Sequence, residues 1–188
     1  MSYFAEGAFN GEYPVSPPEM LAKAQFIFGH EFGAPKKDAK KNGSTLEEVF
    51  GLVNVEIAQF IYDLDSDLPI YAAETVAGAL GELGVAVEGV VYNTTSTFHA
   101  DEGGTWAELI EVEKLLENEE KHVLHVGQAY HAGRIAAHSA KFGFHPHLPP
   151  GLPTMFDPDS KQRWTRSAGL WAVREAPGTL FLKLKNQL

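Results

Sequence analysis

Short apolar runs that each stop at a glycine or a polar residue, with an amphipathic segment after each one, constrain this chain more than any other feature. The runs are "AQFIFG", "LPIYAA", "VAVEGVVY" and "HVLHV", with "FHPHLP" as a shorter fifth. Runs of this length and valine content suit strands buried on both faces. The segments between them read as helices. "STLEEVFGLVNVEIAQFIYDL" opens on a capping box of Ser44 and Glu47 and carries its apolar residues at helical spacing. "TVAGALGELG" stops at Gly84, and the helix after "NTTSTFHADEGG" opens on Thr105 and Glu108 with Trp106, Leu109, Ile110 and Leu116 as its inner face. Strand–helix alternation implies an α/β fold, a Rossmann-like three-layer αβα sandwich with a mainly parallel sheet of about five strands.

The chain of 188 residues is long enough for one well-buried core. Residues 1–20, rich in Gly, Pro and aromatics, read as an arm packed on a single domain spanning 21–188. A helix around "QRWTRSAGLWAVREA" and the run "TLFLKLK" complete it. With no cysteine, disulfides and thiolate chemistry are excluded, and the formal charge of −10 argues against a nucleic-acid partner. The N-terminal "MSYFAEGAFNGEYPVSPPEM" lacks a basic region followed by an apolar one, and no window is long enough to span a membrane. A cytoplasmic location is the expectation.

In open parallel sheets, ligands sit beyond the carboxyl ends of the strands. That rule selects Gly29, His30 and Glu31 after the first strand and Glu74 and Thr75 after the second. Asn93 and Thr95 follow the third, and Gln128, Tyr130 and His131 the fourth. In "HVLHVGQAYHAGRIAAHSAKFGF" a helix starting near Ala129 puts His131, Arg134 and His138 along one line. The helix N-terminus favours an anion, Arg134 could clamp one, and His131 could act as general acid or base, with Glu31 or Glu74 as its partner. His138, near the helix end, is expected to face solvent or the last carbonyls. No GxGxxG, Walker lysine, GxSxG or HExxH motif is present.

The same stretch resembles the YdcF/SanA-like family, domain of unknown function 218, through Tyr130, His131, Arg134 and Gly143. "STFHADEGGTWAEL", with Thr105 and Trp106 at a helix start, is similar to the family's Ser/Thr-rich segment, and Arg174 and Glu175 in "LWAVREA" to its last helix. The chain departs from that pattern at His30 and Glu31, where the family is richer in glycine. The resemblance implies a Rossmann-like fold with a nucleotide-like ligand, such as S-adenosylmethionine, at the strand ends, and adds Thr105 to the pocket.

Three functions are therefore expected in order. The first is an enzyme or binding protein for a small anionic, nucleotide- or phosphate-containing metabolite. The second is a metal-dependent hydrolase using His30, Glu31, His99 and Asp101. The third is a non-catalytic scaffold presenting the acidic helix "ELIEVEKLLENEEK" and the aromatic arm.

Overall fold

The computed structural model describes residues 10–35, 43–92, 104–115 and 121–175. Asn93, Thr95, His99, Asp101 and the run 179–185 lie outside them. Five strands, β1 (Phe26–Gly29), β2 (Ile70–Ala73), β3 (Gly89–Val91), β4 (His122–Val126) and β5 (His145–His147), form one sheet in the order β3-β2-β1-β4-β5. Every pairing is parallel. The expected α/β sandwich is the observed architecture.

The helices are α1 (Pro18–Leu21), α2 (Leu46–Phe50), α3 (Leu52–Asp63), α4 (Glu74–Glu82), α5 (Thr105–Leu115) and α6 (Ala129–Lys141), with a last helix, α7, over 168–175. Alternation along the strands feeds two cores. Ile27, Ala72 and Val126 face α3 and α4, whereas Phe28, Val91 and Val123 pack under α5, through Leu109 and Val112. The side chain of Ser139 on α6 bonds His125 on the second face, so α5 and α6 share that side. Helices on both faces bury β1 completely.

Several local expectations are corrected. The capping box lies one residue later, at Thr45 and Glu48, where each side chain meets the other's backbone N–H. The long helix is two, broken at Gly51, whose φ of 88° belongs to the left-handed region that favours glycine. The third strand keeps only Gly89–Val91 of its apolar run. The inner face of α5 is Thr105, Glu108, Leu109 and Val112, all buried. Its two polar members are not a capping box. The helix begins at Thr105, and Glu108 donates its N–H to Gly104. Both side chains are used elsewhere. The described part of the arm is tied down by Tyr13, which donates to Pro149 and accepts from Leu152, and by a reciprocal pair of bonds between Ser16 and Leu148.

Candidate active site

With strand order 3-2-1-4-5, the order of connection reverses between β1 and β4, and in open parallel sheets the ligand crevice lies beyond the carboxyl ends at such a point. The loop leaving β1 carries His30, fully buried, and Glu31, half-buried. Thr75, in the first turn of α4, donates its hydroxyl to Glu31 at 3.0 Å. From the other side Glu108 of α5 reaches in, accepting from the Glu31 backbone N–H and meeting His30 Nδ1 at 2.8 Å. The ends of β1 and β2 and the start of α5 thus converge on two carboxyl groups.

Burial governs the protonation of this cluster. Desolvation, reinforced by the neighbouring Glu108 and Glu74, raises the Glu31 carboxyl to about 7 despite the Thr75 hydrogen bond. Glu108, 2 % exposed, is pushed up to about 8 by its burial, and His30 down to about 3 by the same cause. The His30–Glu108 contact is therefore a hydrogen bond between neutral partners at pH 7, not an ion pair. Glu31 titrates in the range where a general acid or base works best.

The line of side chains on α6 faces inward. His131 is buried, and its Nε2 lies 2.7 Å from Thr105 Oγ1 and 2.9 Å from an Arg134 nitrogen. A guanidinium only donates, so Nε2 accepts and the ring proton resides on Nδ1. Burial first, then Arg134, hold His131 well below the usual imidazole range. It stays neutral at any working pH, which removes it as a proton acceptor and leaves it a fixed hydrogen-bond donor. Arg134 also donates to Glu175 at 2.5 Å and lies over the Trp171 ring, 5.2 Å from its centre. Its primary partner is thus a protein carboxylate. His138 is buried rather than facing solvent, and burial lowers it to about 3.

The remaining expected residues are placed as follows. Gln128 is fully buried and donates toward the carbonyls of Thr154 and Met155. The first amide of α6, at Ala129, donates to Pro153, so a loop carbonyl already takes the N–H offered at that helix start. Tyr130 turns away toward Phe156 and the arm at Gly11. Glu74 is exposed at the rim. Gly29 lies under α3 and α4, where a Cβ would come within 2.9 Å of Ile61 Cδ1 and 3.0 Å of Val76 Cγ1, so it serves packing. Both ring nitrogens of His30 are taken up by protein partners, Glu108 and His125, which leaves it no lone pair for a metal. Among the described residues no group of three or more potential ligands is placed to hold one.

Sequence reasoning missed Glu108, His125, Glu175 and Trp171 as parts of this cluster. A signal existed for Glu108: together with Thr105 it falls in the same helical stripe as Leu109 and Val112, so it had to be buried. Trp171 packs 4.9 Å from Phe32, its ring tilted by 52°, and edge-on 5.5 Å from His131, which brings α7 against this cluster. Among the described residues His131 Nδ1, Arg134 Nε and Trp171 Nε1 are buried without a hydrogen-bond partner, as is the acceptor Gln128 Oε1. Orphaned buried polar atoms are rare, and the three donors lie together, with His131 and Arg134 both against Trp171, which calls for a partner that the chain does not supply. No protein-family model, curated protein or solved structure matches the chain. Among the described residues no helix is long and apolar enough to cross a membrane.

Proposed function

We propose that the crevice binds a small anionic metabolite carrying a phosphate or nucleotide group, S-adenosylmethionine-like ligands included, and that the protein acts on it as a transferase or hydrolase. The observation that carries this reading is the trio of buried, unpartnered N–H donors on Trp171 and on His131 and Arg134 beside it. Three donors without acceptors suit oxygen atoms of an anion. Arg134 and Arg174 share the single carboxylate of Glu175, so positive charge remains in this pocket of an acidic protein. The two other carboxyls, Glu31 and Glu108, are largely held in or near their neutral forms and repel an anion little.

Glu31 is the proton-transfer group in this reading. It is accessible, held by Thr75 and poised near neutrality. His131 orients the ligand as a donor, and Arg134 supports both His131 and the bound charge. Divergent membership of the YdcF/SanA-like family is part of this proposal, supported by His131 and Arg134 of the resembling stretch.

A thermal-shift screen of nucleotides, S-adenosylmethionine, sugar phosphates and divalent metals tests the reading. A ligand at 100 times its Kd adds about 2.7 kcal/mol, which for a chain of this size raises Tm by roughly 5–10 °C. Arg134→Lys is the informative variant, because Arg134→Ala leaves the buried Glu175 carboxylate with Arg174 alone, at 3.2 Å, and so destabilises the fold on its own. The expected result is a shift with a phosphate-bearing compound that shrinks in Arg134→Lys, with turnover, once a substrate is found, lost in Glu31→Gln. No shift with any anionic compound would overturn the proposal.

A further inference from the structure

Behind Glu31 runs a second set of contacts that ligand binding does not use. Glu108 Oε2 meets His30 Nδ1 at 2.8 Å, His30 Nε2 meets His125 Nδ1 at 2.9 Å, and His125 Nε2 meets Ser139 Oγ at 2.7 Å. The four side chains join the start of α5, the ends of β1 and β4, and the last turn of α6. All are buried, three of them completely and Glu108 to 98 %, so no solvent competes for these bonds.

We propose that Glu108, His30, His125 and Ser139 form one proton-ordered line in which the single proton on Glu108 sets the direction of every hydrogen bond, making Glu108 a positioning residue that controls the charge beside Glu31. The consequence for Glu31 rests on the crevice reading above; the line itself does not.

The ordering follows from counting protons. Each neutral imidazole carries one N–H, and the contact between the two rings needs one donor and one acceptor. Suppose Glu108 is a carboxylic acid. Its O–H donates to His30 Nδ1, His30 then donates from Nε2 to His125 Nδ1, and His125 donates from Nε2 to Ser139. Suppose instead that Glu108 is ionised. It accepts from His30 Nδ1–H, His30 Nε2 must accept from His125 Nδ1–H, and His125 Nε2 accepts the Ser139 hydroxyl proton. Intermediate patterns leave either two lone pairs or two hydrogens facing each other across a contact under 3 Å, at full desolvation cost. Loss of one proton at Glu108 therefore inverts both tautomers together.

The surroundings favour neutral rings throughout. Burial depresses both histidines, and His30 and His147 further disfavour a charge on His125. The charged or titratable groups facing the line are Glu31 beside Glu108, Arg134, His131 and His138 on α6, and His147 on β5 beside His125. Burial raises Glu108 to about 8, so the acid-state order prevails at neutral pH and the ionised order above it. In the acid state Glu31 has a neutral neighbour. In the ionised state it faces a carboxylate, whose charge raises the Glu31 carboxyl further.

The test is 15N NMR of the full chain with labelled histidine, titrated from pH 5.5 to 9.5 without ligand. The expected result is that His30 and His125 both carry their proton on Nε2 at low pH and on Nδ1 at high pH, with one shared midpoint. In Glu108→Gln the amide donates to His30 as the acid does, and both rings stay Nε2–H across the range. Tautomers that do not change, that change at separate midpoints, or that switch in Glu108→Gln as in wild type would overturn the proposal. The wild-type titration decides alone should that variant not fold. A crevice that binds no anion leaves this result intact, and a line that does not switch leaves the binding result intact.

Discussion

Gly29 shows at the scale of one residue how a correct location can carry the wrong role. Its place at the end of β1 marked it as a ligand contact, yet the atoms around its missing side chain are Ile61 Cδ1 and Val76 Cγ1, not open space. Gly29→Ala is expected to destabilise by about 1–3 kcal/mol through overpacking. Ile61→Val, which removes the offending methyl group, costs about 0.5–1.5 kcal/mol alone. The double variant should lose less than the sum, because the second change opens the space that the first needs. Urea unfolding of all four proteins measures this, and strict additivity would show that the close approach is not what excludes a side chain. His131 carries the same lesson in chemical form. The sequence placed it on the correct helix face in line with Arg134, but only burial and the guanidinium at its Nε2 show that it is a permanent donor rather than a base. Position was legible; protonation was not, because it depends on neighbours far away in the chain.

At the scale of elements, the break between α2 and α3 explains how the loop after β1 is fixed. In an uninterrupted helix the Asn54 backbone N–H would bond the carbonyl of Phe50. Here the Asn54 side chain takes that carbonyl at 2.8 Å, while its own oxygen accepts from the Phe32 N–H at 2.8 Å. One fully buried amide therefore both mends the helix break and anchors the loop that carries His30 and Glu31. Asn54→Ala leaves two backbone groups unsatisfied and is expected to cost about 2–4 kcal/mol. It should also speed hydrogen exchange at the Phe32 amide beyond what the loss of global stability explains; unchanged relative protection there would separate the loop from Asn54. The apolar stripe of the segment was readable because Val53, Ile57 and Ile61 keep helical spacing across the break. The break itself was not, since a lone glycine within a helical pattern is usually tolerated. Strand ends were readable for a different reason: in a fully buried parallel sheet, polarity can reappear only where the strand stops.

For the whole molecule, buried titratable groups of opposite kinds set the pH of greatest stability. The buried histidines, with His30 and His138 near 3 and His125 and His131 well below 6.5, bind protons more readily when unfolded, so stability falls as pH drops below 6.5. Glu31 and Glu108 behave in the opposite sense. Their folded-state values of about 7 and 8 exceed the ordinary 4.5, so the folded chain holds the extra protons and stability falls as pH rises through 8. Between 4.5 and 6.5 these four histidines and His147, which burial also lowers, oppose two carboxyls and prevail. Above 6.5 the carboxyls act alone, with Glu108 contributing on the order of 2 kcal/mol by pH 8. Thermal melts across pH 4–9 should peak near 6.5, and Glu108→Gln should flatten the alkaline side; a maximum at pH 8 or above would contradict the neutral state of these acids.

The strand order has a consequence in time as well as in space. β1 lies at the centre, so it needs β2 on one side and β4 on the other, and His30 meets His125 across 95 residues of chain. Pairings so distant in sequence close slowly, because the loop entropy is lost before the contact forms. The segment from β1 to β3 can dock on α3 and α4 while the chain is still being made. The crevice cannot, since one of its walls is β4 and α6. Whatever the pocket recognises meets it only after the last long-range pairing, which makes the site itself a report that the whole chain has folded.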